Sequence, residues 1–182
     1  MKLINEMELQ FSKDLLEKRI IHLTGKITPT QADRIIFSLA WLNARSSEEI
    51  TLYIKSDGGE VLPGLQIYDS IRLSVAPVIG VVLGEANSMA SVVLQACRTR
   101  KAVRHACLIM HYINVTRSLS ELIDEQKRHD SLAKSWEYQN SIFRILVKRS
   151  GMSIEPVEKL CKESRVLGAE EAKKLNLIDE II

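Results

Sequence analysis

Ser88 stands in GEANSMASVVLQAC (residues 84–97), between an apolar run and an apolar segment of helical character. A side-chain oxygen at a strand-to-helix junction has two common uses. It can cap the first helical turn, a role open to Asn87 as well and worth about 1 kcal/mol. It can instead attack a carbonyl, which requires a base for its proton and donors for the oxyanion that forms. His111, at the end of the next apolar run (CLIMHY, 107–112), is a base of the right type. Gly58 and Gly59 follow an earlier run, where a backbone N–H meets a substrate carbonyl without side-chain obstruction. The N–H of Met89 would sit at the positive end of a helix. Acyl transfer is the chemistry this set allows. A capped helix and a histidine satisfied in the core are the bland alternative, and His22, His105 and His129 show that histidine is not reserved here for one purpose.

Bringing Ser88, His111 and the glycines to one edge requires parallel strands, whose ends fall on the same side of a sheet. The sequence supplies them. RIIHLTG (19–25), ITLYIK (50–55), PVIGVVL (77–83) and CLIMHY (107–112) are β-branched or apolar runs without polar alternation. Helical patterns separate the first three: Thr28-Pro29-Thr30 opens one through Ala32, Ile35, Ile36, Leu39, Ala40 and Leu42, and 61–73 is another, with Pro63 tolerable in its first turn. The spacing predicts turns at 56–59 (SDGG) and 84–87, and a third helix over 88–97. The class is α/β with parallel strands covered on both faces. Near the C-terminus a helix is predicted around 153–162, followed by LGAEEAKKLNLIDEII as a short helix and a final strand.

Ser118 opens S-L-S-E, a capping pattern with Glu121, and no Pro or Gly follows until Gly151. A helix of about 30 residues would run roughly 45 Å. That exceeds what this core can cover, so part of it must project or meet a partner. The polar run DEQKRHDS (124–131) reads as a solvated bend, flanked by apolar Leu119, Leu122 and Ile123 before it and Trp136, Ile142, Phe143, Ile145 and Leu146 after it. Exposure of those flanks would favour subunit contact.

Composition narrows the partners. With 25 basic and 23 acidic side chains scattered along 182 residues, the chain offers no basic stripe for nucleic acid or for an anionic membrane. The longest apolar run is too short to span a bilayer, and the N-terminus alternates charged with apolar residues. A cytoplasmic protein of one domain over 1–182 is expected. Cys97, Cys107 and Cys161 lack metal-ligand spacing and read as reduced thiols, and the sequon at Asn114 is then accidental. No metal site is expected.

The segments LLEKRIIHLTGKI, TLYIKSDGGEVLPGLQIYDSIR, GEANSMAS, LIMH and RVLGAEEAKKLNLIDEI resemble, in order and spacing, the proteolytic subunit family of the Clp caseinolytic protease. The likeness spans nearly the whole chain and is weakest from Tyr112 to Arg149. It implies a Clp/crotonase fold of repeated β-β-α and βαβ units with a protruding long helix, a handle over about 118–150. It also implies a serine endopeptidase assembled with itself as heptameric rings, stacked in pairs around a chamber for unfolded polypeptides. No cofactor is implied in this chain; ATP hydrolysis belongs to a partner unfoldase chaperone. By position Ser88 matches the nucleophile, His111 the general base, and the N–H groups of Gly59 and Met89 the oxyanion hole. The departures are Asn87 before the serine, Tyr112-Ile113 after the histidine, and Asp57-Gly58-Gly59-Glu60 at the glycine turn. At the third triad position the family's aspartate is matched by Ser164, next to Glu163, which stands where the family has an arginine of the ring-to-ring contact. Ser164 supplies no negative charge, so the third member is open between Ser164, Glu163 and another acid, and double-ring assembly and full activity stay open with it. Two rivals follow: a non-catalytic or weakly active structural subunit of a mixed ring with a second Clp-type subunit, and a crotonase-like acyl-CoA enzyme.

Overall fold

Three apolar runs form the centre of a parallel sheet: β1 (Ile20–Ile27), β2 (Ile50–Gly59) and β3 (Val78–Asn87) pair in that order. The structure is a computed structural model that describes residues 13–116 and 118–182, apart from the side chains of Glu121 and Leu122. The alternating segment over 1–12 and the Glu121 half of the capping pattern lie outside these residues. Helix α1 (Pro29–Asn43) connects β1 to β2. Thr28 Oγ1 caps it by accepting from the Gln31 N–H at 3.3 Å, and it buries Ala32, Ile35, Leu39 and Leu42. Helix α2 (Val61–Leu73) leads into β3, with Pro63 buried in its first turn.

β3 serves two neighbours along its length. Its first half, through Ile79–Val82, pairs with β4 (Thr99–Ala102), and its end, Glu85 to Asn87, pairs with β5 (Cys107–Ile109). Between β3 and β4 lies α3 (Met89–Leu94). After β5 come α4 (Leu119–Ile123), α5 (Glu125–Ser150), α6 (Ile154–Glu163), β6 (Val166–Gly168), α7 (Ala169–Lys174) and β7 (Glu180–Ile181), which pairs with β4. The result is an α/β fold with a seven-stranded sheet among the described residues.

The structure corrects several expectations. Residues 56–59 and 84–87 are not turns but the ends of β2 and β3. Their polar and glycine composition resembles turn chemistry, yet β2 bulges opposite β1 and β3 and resumes pairing, Gly58 with Lys26 and Ser56 with Ala86. Ser56 holds the bulge, its hydroxyl donating to Gly25 O at 2.5 Å and accepting from the Gly58 N–H at 3.0 Å. The helix predicted over 88–97 ends at Leu94, and Gln95, Ala96 and Cys97 continue as tighter turns bonded three residues back. The sheet is not wholly parallel, because β6 runs antiparallel to β5. β5 ends at Ile109, where that pairing stops, so His111 lies two residues beyond the strand rather than at its end.

The handle over 118–150 is two helices. Asp124 is extended (φ −82°, ψ 113°) and its carboxylate accepts from the Lys127 N–H at 3.1 Å, so it caps α5 instead of continuing α4. The rest of the polar run is helical. Ile142, Phe143 and Leu146 in the second half of α5 enter the core, whereas Leu119, Ile123 and Trp136 are 71%, 74% and 56% exposed.

Candidate active site

Parallel pairing brings the ends of β2, β3 and β5 to one edge of the sheet, and a cavity of about 630 Å³ opens there. Gly59, Ser88, Met89 and His111 all line it, drawn together from residues more than fifty positions apart in sequence. Lys26, Asp57 and Glu60 are exposed lining residues that place charges of both signs on it, and Leu62, Val92, Met110 and Leu146 supply apolar wall.

Ser88 joins β3 to α3 with φ 53° and ψ −124°, a conformation that costs a non-glycine residue about 1–3 kcal/mol. Its side chain makes no capping hydrogen bond. The backbone is fixed instead: the Ser88 N–H donates to Ile109 O at 2.7 Å, and the Ser88 carbonyl accepts from the Ser91 N–H at 3.0 Å and the Ser91 hydroxyl at 2.7 Å. This sharp turn leaves the hydroxyl on the cavity wall without the capping duty that a serine at this junction commonly has. Met89, the first residue of α3, buries its side chain to 2% exposure against Gly64, while N–H groups of a first turn have no acceptor within the helix.

The glycines are a close fit to this turn. A Cβ on Gly58 (φ 86°) would fall 2.6 Å from Asn87 O and 2.7 Å from Ser88 Cβ. One on Gly59 (φ 155°) would fall 2.2 Å from Ile27 O. The Gly58 N–H is taken by Ser56, and of the two glycines it is Gly59 that lines the cavity.

His111 is half-buried, and its Nδ1 lies 2.5 Å from the Tyr112 carbonyl oxygen. A carbonyl only accepts, so Nδ1 carries a proton, and in the neutral ring Nε2 then holds the free lone pair that a general base needs. Among the described residues no carboxylate is paired with His111, and its ring is not hydrogen-bonded to the Ser88 hydroxyl. The two groups face one cavity with the ring anchored from its far side. Catalytic hydrogen bonds commonly close only when substrate is bound.

The residues matched to the third triad position make other contacts. Ser164 ends α6 in a left-handed conformation (φ 48°, ψ 37°), exposed, with its hydroxyl donating to Cys161 O at 3.4 Å. Glu163 is exposed and faces Lys159 at 3.8 Å. Neither lines the cavity. Cys161 does, but burial pushes its thiol up to about 11, which leaves it protonated and a poor rival to Ser88. Cys97 is buried and its thiol is pushed up to about 12, again by burial first. The described residues contain no cluster of three metal-ligating side chains, and no helix among them is long and apolar enough to cross a membrane.

Two features of the site escape a reading of motifs. The carbonyl of Tyr112 has no residue-type signal at all. Gln139 accepts from the Ile113 N–H at 2.8 Å and is 3% exposed. It had a faint signal, a polar residue on the buried stripe that continues through Ile142, Phe143 and Leu146. A protein-family model described as Clp protease matches residues 5–182.

Proposed function

The chain belongs to the Clp protease family, and from that premise we propose that it is a serine endopeptidase subunit in which Ser88 is the nucleophile and His111 the general base. The observation that carries this reading is Ser88 itself, held in a strained strand-to-helix turn and uncapped, on the same cavity as His111. Nε2 of His111 takes the Ser88 proton as Oγ attacks the peptide carbonyl, and the N–H groups of Gly59 and Met89 receive the oxyanion. The imidazolium then protonates the leaving amine, giving an acyl-enzyme. Water, deprotonated by His111, hydrolyses the ester and regenerates the serine.

Among the described residues no carboxylate pairs with His111, and that sets the expected rate. Replacing the triad aspartate by asparagine costs a serine protease about 10⁴, chiefly because the wrong histidine tautomer is stabilised. A backbone carbonyl keeps the right tautomer and lacks only the full charge. Weak but real peptidase activity follows. Assembly into rings through self-association, with an ATP-dependent unfoldase delivering polypeptide, is part of the same reading. The exposed apolar residues Leu119, Ile123 and Trp136 on the two handle helices support it. A soluble, cytoplasmic setting fits such a partner.

A fluorophosphonate probe, which loses fluoride as it phosphonylates an activated serine, tests the assignment. The wild type is expected to label and Ser88→Ala to lose all labelling with its fold intact. Labelling that persists in the variant would overturn the nucleophile. No labelling of the wild type at any oligomeric state would favour the structural subunit of a mixed ring, a reading that Ser164 at the third triad position supports.

A further inference from the structure

The peptide unit joining Tyr112 to Ile113 is hydrogen-bonded at both ends. Its carbonyl oxygen accepts from His111 Nδ1 at 2.5 Å, and its N–H donates to Gln139 Oε1 at 2.8 Å. Gln139, on α5, is 3% exposed, and its Nε2 is buried without a partner among the described residues. Burying an amide with one end unsatisfied is unfavourable, and a leucine on the stripe of Ile142, Phe143 and Leu146 would avoid the cost. Among the described residues the side chain's one hydrogen bond is to the peptide that anchors the histidine.

We propose that Gln139 is the positioning residue of His111, acting through the 112–113 peptide in place of the carboxylate that the third triad position lacks. The inference rests on the peptidase reading above for its consequence, but not for its geometry. Two hydrogen bonds in series across one peptide plane reinforce each other. An acceptor on the N–H draws its proton and leaves the carbonyl oxygen more negative, which strengthens its hold on Nδ1–H and steadies the imidazolium formed during acylation. The same bond fixes the plane of the peptide and with it the orientation of the ring. The edge-on contact of Tyr112 with Phe143, 5.8 Å between ring centres at 78°, secures the same segment to the same helix. Gln139 does not line the cavity and, among the described residues, makes no hydrogen bond to Ser88 or His111. It does for the histidine indirectly what a triad acid does by direct contact.

The test compares Gln139→Met, of similar volume and without an acceptor there, with Gln139→Glu, which retains an oxygen opposite Ile113. Nitrogen-15 spectra of the full chain labelled at histidine report which ring nitrogen of His111 carries the proton, with the other three histidines sorted out by a His111→Asn control. Fluorophosphonate labelling rates are taken in parallel at matched oligomeric state. The wild type and Gln139→Glu are expected to show the Nδ1–H form, and Gln139→Met a mixture with Nε2–H. Labelling should fall about tenfold in Gln139→Met, the low end of what losing an outer hydrogen-bond partner of a functional histidine costs, and return in Gln139→Glu. An unchanged tautomer and rate in Gln139→Met would overturn the proposal. So would an Nε2–H form in the wild type, a result that needs no variant to fold. If the tautomers behave as expected while the wild type does not label, the positioning role stands and the peptidase reading fails. If the wild type labels and the tautomers ignore Gln139, the reverse holds.

Discussion

The two sides of the cavity are built by different means. The serine side is assembled from the ends of adjacent strands: β2 contributes Gly58 and Gly59, β3 leads into Ser88, and the contacts between them leave no room for a single added methyl. The histidine side begins two residues past a three-residue strand, and its anchor is a peptide held by Gln139 and Phe143 of α5. The first half of that helix leaves the core, with Leu132 and Trp136 exposed. One half of the machinery is therefore fixed within the sheet and the other borrows its order from a helix that itself presents apolar surface. Changes on α5 should tune the histidine without disturbing the serine, and changes at the glycines should do both kinds of damage at once.

Gly58→Ala gives the largest effect. The new Cβ would meet Asn87 O and Ser88 Cβ at 2.6 and 2.7 Å, in a backbone at φ 86°. Strain and overpacking together should cost about 3 kcal/mol of stability. Displacement of the Ser88 turn by even 1 Å should cut fluorophosphonate labelling about 100-fold. Thermal unfolding and labelling measure the two. Because the defect is internal to the sheet, raising protein concentration should not restore it, and restoration would break the contrast drawn above.

Trp136→Glu comes next and probes the other side. The residue is 56% exposed and lines a shallow hollow with Tyr112, Ile113 and Gln139, so a subunit seated there would press on the segment that holds His111. Native mass is expected to shift toward smaller species, and labelling to fall several-fold at low concentration and recover as assembly is driven by mass action. A loss of labelling that concentration never repairs would show that the helix supports His111 within one chain alone.

This difference also explains what could be read from the sequence. The α/β class, the three central parallel strands and the convergence of Gly59, Ser88 and His111 on one cavity were legible because apolar runs and strand order determine them. The lengths of β2 and β3 were not, since SDGG and GEAN carry the residues of turns and stay in the sheet only through a bulge against neighbouring strands. β4 and β6, at four and three residues, offer too little pattern to detect. The polar run over 124–131 marked a bend but not its exact place, because a capping aspartate within such a run looks like any solvated helical residue. The anchor of His111 was out of reach for a deeper reason: it combines a main-chain carbonyl with a glutamine 26 positions beyond the amide it binds, and neither leaves a local trace.

Ser164→Asp is the smallest expected effect and the sharpest test of how His111 is held. If the third position were simply a triad site emptied of its charge, aspartate there would fix the Nδ1–H tautomer, stabilise the imidazolium and raise acylation strongly. The geometry argues otherwise. Ser164 is exposed, its backbone is a left-handed helix end that aspartate tolerates, and its hydroxyl turns toward Cys161 O, a carbonyl that would repel a carboxylate and turn it to solvent. Nδ1 already donates to Tyr112 O at 2.5 Å and has no second proton to offer. An exposed charge acting through solvent changes the balance only slightly, so labelling and hydrolysis of a small fluorogenic peptide should stay within about threefold of wild type. Glu163→Gln should be equally quiet, since that carboxylate lies against Lys159. A rise of tenfold or more in Ser164→Asp would mean that the histidine leaves the Tyr112 carbonyl for a carboxylate when one is available. The histidine side would then be looser than the serine side by more than its anchoring to α5 implies, and Gln139→Met in the Ser164→Asp background should lose its effect.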